Sequence, residues 1–357
     1  MFIDLLKKLS GLVLVLAVPF CFYACGGKVD HSWVFRCNKD VIPEGVYKYY
    51  LRESYNKAID ILSESGSSLE SLSDQKIGEK SFSEWIKNDA MASCKDLLAI
   101  EVMFRDEKLF LTDKEKSEVS SSAESAFSAL EKELKELSVS EEDFKRAYAE
   151  CKIKYQKLFD YFYEKGGKEE VTDKDLIEYY KNEYVNYSML TKYVFLSNKL
   201  DGEQQFKESN VSEEQVRSAQ SQIEEYVDLL NSGKKGIKEI ANIFKEKEQL
   251  STDPLETETI CLKDADVSEE ILNKLKELDV GKADYVKIND TFVLLFKNDI
   301  SNNLPDISNN EIRRDILKSF KVDDFYSKIE SVKSKMNIEL NSKLIKEIVP
   351  EKLFKLS

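Results

Sequence analysis

Histidine is almost missing from these 357 residues: the chain has one, His31. A single imidazole excludes the common zinc constellations and any arrangement that needs a pair of histidines. Glycine and proline are also sparse, at 12 and 5 residues, which excludes collagen-like and low-complexity chains and points to long helices with few tight turns. Positive charge is in deficit, 53 Lys and Arg against 67 Asp and Glu, so no surface in excess of cations is available for nucleic acid. No Gly-rich phosphate loop, G-x-S-x-G elbow, H-E-x-x-H or C-x-x-C pair occurs, so no cofactor and no metal is expected. What remains is 42% hydrophobic and 34% charged, enough for a real core, over a length that suggests two or three domains.

The N-terminus carries Lys7 and Lys8 and then "LVLVLAVPFCFYACGG", residues 12–27. Its apolar run is shorter than the ~20 residues of a membrane span, and the charged start, short apolar middle and small Ala24 fit a secretory signal peptide. Phe22-Tyr23-Ala24-Cys25-Gly26 resembles a bacterial lipobox. That resemblance implies a signal peptide over 1–24, lipid attachment at Cys25, a tether over 25–32, and a protein held at the extracytoplasmic face of the cell membrane. Cys21 is the rival acceptor, but it lies between Phe20 and Phe22, whereas two glycines follow Cys25. Cleavage without lipid and an uncleaved anchor are the other readings. Of the remaining cysteines, Cys37, Cys94, Cys151 and Cys261 are scattered as buried thiols usually are; a Cys94–Cys151 bridge stays open.

Beyond the tether, "WVFRC" reads as a strand, Asn38-Lys39-Asp40 as a turn, and Pro43 as the opening of a helix with Val46, Tyr50, Tyr55, Ile59 and Leu62 at helical spacing. A Gly/Ser-rich connection follows. Ser81 with Glu84 and Thr112 with Glu115 then cap two more helices; Ser140 starts a fourth that stops at Gly166-Gly167, and Thr172 a fifth, "DKDLIEYYKNEYV". From Leu190 the pattern changes to β-α-α-β-α-β-β, with Asn289-Asp290 turning the last two strands. After Pro305 a long amphipathic helix and a short extended piece close the chain. The fold class is α+β, mostly helical.

These segments, in this order, resemble the PrsA/SurA-type extracytoplasmic foldases. "VFRCNKDVIPEGVYKYYL" is similar to the family's opening strand, turn and helix, "VTDKDLIEYYKNEY" to its linker helix, and "EIRRDILKSFKVDDFYSKIESVKSKMNIEL" to its closing helix. The resemblance implies a helical SurA-like chaperone domain over 33–186. It also implies an inserted parvulin-like peptidyl-prolyl isomerase domain over 187–300, and a C-terminal helix and tail over 301–357 packing back on the first domain. Where active parvulins carry histidines, this chain has Tyr193 in "KYVFLS" and Val293 in "TFVLLFK". Tyr193, Phe195 and Val293 are the candidate pocket of a degenerate module, and no catalytic residue is assigned.

The implied function is a membrane-anchored chaperone or foldase whose partners are unfolded or newly exported proteins and the membrane itself, with no nucleic acid and a possible homodimer. A working prolyl isomerase is the enzymatic alternative; a solute-binding lipoprotein, which would need two doubly wound lobes, is a third. Three aromatic runs, Tyr49-Tyr50, Tyr161-Phe162-Tyr163 and Tyr179-Tyr180, are expected to set one member in the core and leave its neighbour partly exposed. The Glu-rich run "LEKELKEL" reads as a solvated helix face.

Overall fold

The computed structural model describes residues 30–67, 69, 71–194, 212–263 and 265–354. They fall into two compact units, divided at Lys154/Tyr155 and at Ser331/Val332, so that the second unit is an insertion in the first. The fold is α+β and mostly helical.

The first unit opens with a hairpin, β1 (Phe35–Cys37) and β2 (Asp40–Ile42), in which Phe35 faces Ile42. Asn38 supplies the left-handed residue of its turn, φ 54°. The last strand of the chain, β9 (Glu339–Leu340), joins the other side of β1. Helix α1 (Glu44–Glu64) follows Pro43, whose missing N–H costs nothing there. The Gly/Ser-rich connection holds more structure than its composition suggests. Strands β3 (Lys76–Ile77) and β4 (Lys80–Ser81) form a small hairpin around Gly78, φ 61°, a backbone state glycine enters without strain.

Helix α2 (Phe82–Asp106) starts where Ser81 accepts the Glu84 N–H, and α3 (Asp113–Glu136) has the reciprocal Thr112/Glu115 box. Helix α4 (Glu141–Phe144) runs through one π-helical stretch, Lys145–Glu150, into α5 (Cys151–Tyr163). Short helices α11 (Ser342–Glu347) and α12 (Pro350–Leu353) follow β9. One contiguous apolar core joins Phe35, Ile42, Leu51, Phe82, Leu98 and Phe144 with Leu344 from the C-terminal segment. The Glu-rich run behaves as its pattern predicts, with Leu134 and Leu137 buried and the charged residues outward.

In the second unit, α6 (Asp173–Glu183) begins at a Thr172/Asp175 capping box. It is shorter than the sequence reading, because the chain turns extended at Tyr184, six residues before Leu190. There β5 (Tyr184–Tyr193) starts, with Tyr184 opposite Cys261. Then come α7 (Glu213–Asn231), α8 (Ile237–Lys247), β6 (Glu256–Cys261), α9 (Glu269–Glu277), β7 (Ala283–Ile288) and β8 (Thr291–Lys297). The strands form one antiparallel sheet in the order β6-β5-β8-β7. Asn289, φ 52°, makes the two-residue turn of the final hairpin.

The long α10 (Asn310–Lys335) closes the unit, and Phe325 on it meets the rings of Tyr155 (4.9 Å), Phe159 (5.5 Å) and Tyr163 (6.2 Å). Tyr179 and Tyr180 depart from the expectation for aromatic pairs, since both are buried. Phe320 stacks on one at 4.5 Å and Tyr184 on the other at 4.4 Å, so this helix is covered on both flanks.

Candidate functional site

Strand alternation gives the sheet of the second unit two apolar faces. One holds Leu190, Phe292 and Leu294 beneath Ile223 and Tyr226 of α7 and Phe244 of α8. The opposite face holds Val185, Tyr187, Val286, Val293 and Leu295 beneath Leu275 of α9. Thr191 stands directly across from Val293, and Tyr193 across from Thr291, so Tyr193 and Val293 share the α9 face as diagonal neighbours. Their surroundings differ: Tyr193 is 58% exposed at the strand end, whereas Val293 is 6% exposed. Cys25 and Phe195 lie outside the described residues. The chemistry at the two described positions is a phenol and an isopropyl group. His31 sits in the first unit, its Nδ1 2.7 Å from a carboxylate oxygen of Glu44.

A strip of polar side chains crosses the other face next to β6. Buried Asn186 donates to the Glu258 carbonyl (3.1 Å) and to Thr259 Oγ1 (2.7 Å). Asn298 Nδ2 in turn donates to Asn186 Oδ1 (2.8 Å) and Ser188 Oγ (3.0 Å), and Ser188 pairs with Thr257 at 2.9 Å. Every one of these buried groups has a partner, so the strip fixes strand register and carries no reactive group. On the α9 face Tyr187 donates to the Glu258 carboxylate at 2.8 Å; burial first, and then that carboxylate, push the phenol well above its ordinary range. The composition of the strip hid it from the sequence reading, because Asn, Ser and Thr look like surface or turn residues until a register places them.

Two shallow concavities open on the described surface. One, of about 340 Å³, is bordered by Ala129, Leu130, Lys132, Glu133 and Glu136 of α3. The other, of about 320 Å³, is bordered by Asp160, Glu164, Lys165, Asn310, Arg313 and Arg314. Neither touches Tyr193 or Val293, and both are edged mainly by charged side chains. The second is paired internally. Arg313, nearly fully buried, donates to Asp173 (3.0 Å), to the Val171 carbonyl (3.0 Å) and to Glu164, while Arg314 holds Asp160. Burial raises the Asp160 carboxyl against the opposing pull of Arg314.

The thiols of Cys37, Cys94, Cys151 and Cys261 are all free, including the two that could have been bridged. Burial pushes those of Cys37, Cys94 and Cys151 upward, away from the thiolate form that reacts. Among the described residues no cluster of three His, Cys, Asp or Glu could hold a metal ion, and no helix is long and apolar enough to cross a membrane.

No family model matches the chain, and no curated protein matches it. Among solved structures it is similar to a peptidylprolyl isomerase (PrsA) from Bacillus anthracis, with 16% identity over 68% of this chain and 96% of that one and a TM-score of 0.31. It is likewise similar to the foldase protein PrsA from Streptococcus pneumoniae, with 13% identity, coverage of 81% and 97%, and a TM-score of 0.32. A third similar structure is the foldase protein (PrsA) from Lactococcus lactis, at 12% identity, coverage of 92% and 98%, and a TM-score of 0.30.

Proposed function

We propose that this protein is a membrane-tethered, extracytoplasmic chaperone that holds newly exported polypeptides without an imidazole-based active site. In this reading residues 1–24 are a signal peptide and Cys25 carries the lipid. The segment from 33 to 186, together with 301–357, forms the helical chaperone part, and 187–300 is a degenerate parvulin-like module. The observation that carries the reading is a β-α-α-β-α-β-β sheet unit set into a helical unit, with Tyr193 and Val293 on one face where the resembled family places histidines. Prolyl isomerisation lowers a barrier of ~18–20 kcal/mol by gripping a twisted amide in an apolar pocket, and a buried Val293 offers little such space. A doubly wound solute-binding lobe fits poorly, since the sheets among the described residues are antiparallel.

The test uses the mature chain. Stoichiometric protein is expected to suppress aggregation of a chemically unfolded client while leaving the cis–trans relaxation of a proline peptide at its uncatalysed rate. No suppression of aggregation ends the chaperone reading; an accelerated relaxation restores the enzyme.

A further inference from the structure

The two edges of the sheet in the second unit are finished differently. Leu262 N–H donates to the Glu183 carbonyl at 2.8 Å, which sets the alternation of the β5/β6 ladder. Residues 256, 258 and 260 therefore turn their main-chain groups toward β5, and Thr257 and Thr259 turn theirs away from the sheet. Among the described residues strand β6 has one hydrogen-bonded neighbour, and Glu256, Thr257 and Glu258 are exposed. On the opposite edge, outward groups of Ala283 and Tyr285 in β7 are occupied from within the unit. Asn231 Oδ1 accepts from Ala283 N–H (2.8 Å), Asn231 Nδ2 donates to the Ala283 carbonyl (2.9 Å), and Asp284 accepts from Tyr285 N–H (2.8 Å). An open edge of this kind is a template for one more strand.

We propose that the outer edge of β6 binds an extended polypeptide as an added β-strand, and that the bound segment carries Lys or Arg at alternate positions. This deepens the chaperone reading and rests on it for its biological client. The charge preference follows from Glu256 and Glu258, which project from the same face of β6 two residues apart; Tyr187 fixes the second of them in place. Asp253 extends the acidic character just before the strand, and Lys263 just after it lies 3.9 Å from Glu183. A second copy of this chain is the poorer occupant, because antiparallel self-pairing centred on Thr257 would set Glu256 against Glu258. Main-chain hydrogen bonds make the grip tolerant of sequence, and the carboxylates bias it toward cations.

Fluorescence anisotropy with the mature chain tests this, using a labelled ten-residue peptide of alternating Lys and Val or Thr. Binding is expected, and it should fall by at least about tenfold when alternate peptide amides are N-methylated or when Lys is replaced by Glu. Thr257→Pro deletes an outward N–H and spares the main-chain ladder to β5, giving up only the Thr257 hydroxyl pair with Ser188, and should weaken binding about tenfold. Lys287→Pro, at an outward position of β7, should leave it unchanged. Equal binding of the N-methylated peptide overturns the proposal without any variant having to fold. Concentration-dependent dimerisation abolished by Thr257→Pro overturns it in favour of a second copy. Failure is separable from failure of the chaperone reading. Wild type that suppresses aggregation but binds both peptides alike sinks only the edge, whereas strand-like peptide binding without suppression sinks only the chaperone.

Discussion

The two units are held by different physics. Nearly all the buried side chains of the first belong to a single continuous apolar cluster, in which aromatic rings such as Phe144 sit at the centre: Tyr49 at 5.2 Å, Phe127 at 5.6 Å and Tyr148 at 5.0 Å surround it. The second divides its apolar interior between two smaller clusters on either side of its sheet and the rings around Phe325 between α5 and α10, and adds a buried polar strip along β5 and a guanidinium buried among α5, α6 and α10. A single apolar core tolerates polar change poorly and gains most from close packing. A unit stitched by directed polar contacts depends instead on each partner being present, because a buried group left alone costs its full desolvation.

The largest expected effect sharpens the first half of that comparison. Phe144→Ala removes a fully buried ring from the middle of the core and should destabilise the first unit by about 4 kcal/mol, the transfer and cavity terms together. Urea unfolding followed by the emission of Trp33 and Trp85, both in that unit, measures it. A cost below about 1 kcal/mol would mean that the cluster relaxes into the gap and is not the close-packed core described here.

Next in size is Arg313→Ala. The side chain is 4% exposed and links Glu164, Asp173 and the Val171 carbonyl, so truncation orphans a buried carbonyl, takes the guanidinium from Glu164 and leaves Asp173 with Lys165 alone. Both carboxylates are part-exposed and can rehydrate, which places the cost at the low end for a broken buried pair, about 3 kcal/mol. Hydrogen exchange should show α6 and the first turns of α10 losing protection. Unchanged exchange there would dissolve the contrast between the units.

Sequence patterns made the capped helices and the β-α-α-β-α-β-β order legible, because Thr112/Glu115, Thr172 and Asn289-Asp290 are local signals whose physics needs no distant partner. The start of β5 was not legible, since Tyr180, Tyr184 and Tyr187 stand at i, i+4 and i+7 and so carry a helical pattern into the strand. The pairing of Tyr184 with Cys261 decides it. Nor was the fate of the adjacent Arg313 and Arg314: one is buried and the other 39% exposed, although the run "EIRRDIL" treats them alike. That Tyr193 and Val293 share a face depends on a β5/β8 register that only the folded chain sets.

The smallest effect concerns acid, and the two carboxyls beside the arginines should oppose each other. Hydrogen bonds from Lys165 first and Arg313 second hold the Asp173 carboxyl below its ordinary value. Its contribution is therefore present above the unfolded value of about 3.9 and lost as pH falls through the lower folded one. Asp160 is shifted the other way, chiefly by burial, so protonating it favours the folded state as pH falls through its raised value. Stability should thus hold or rise slightly on acidification toward about pH 4 and fall below it. Asp173→Asn should remove part of that fall and Asp160→Asn the slight rise. Because Asp173 is half exposed, solvent screening keeps its share under about 1 kcal/mol. Urea midpoints measured from pH 7 to pH 3 decide the matter. If Asp173→Asn leaves the acid limb as steep as in wild type, the stitching around Arg313 rests on the Val171 carbonyl and Glu164, and the ionic half of the contrast between the units reduces to that pair.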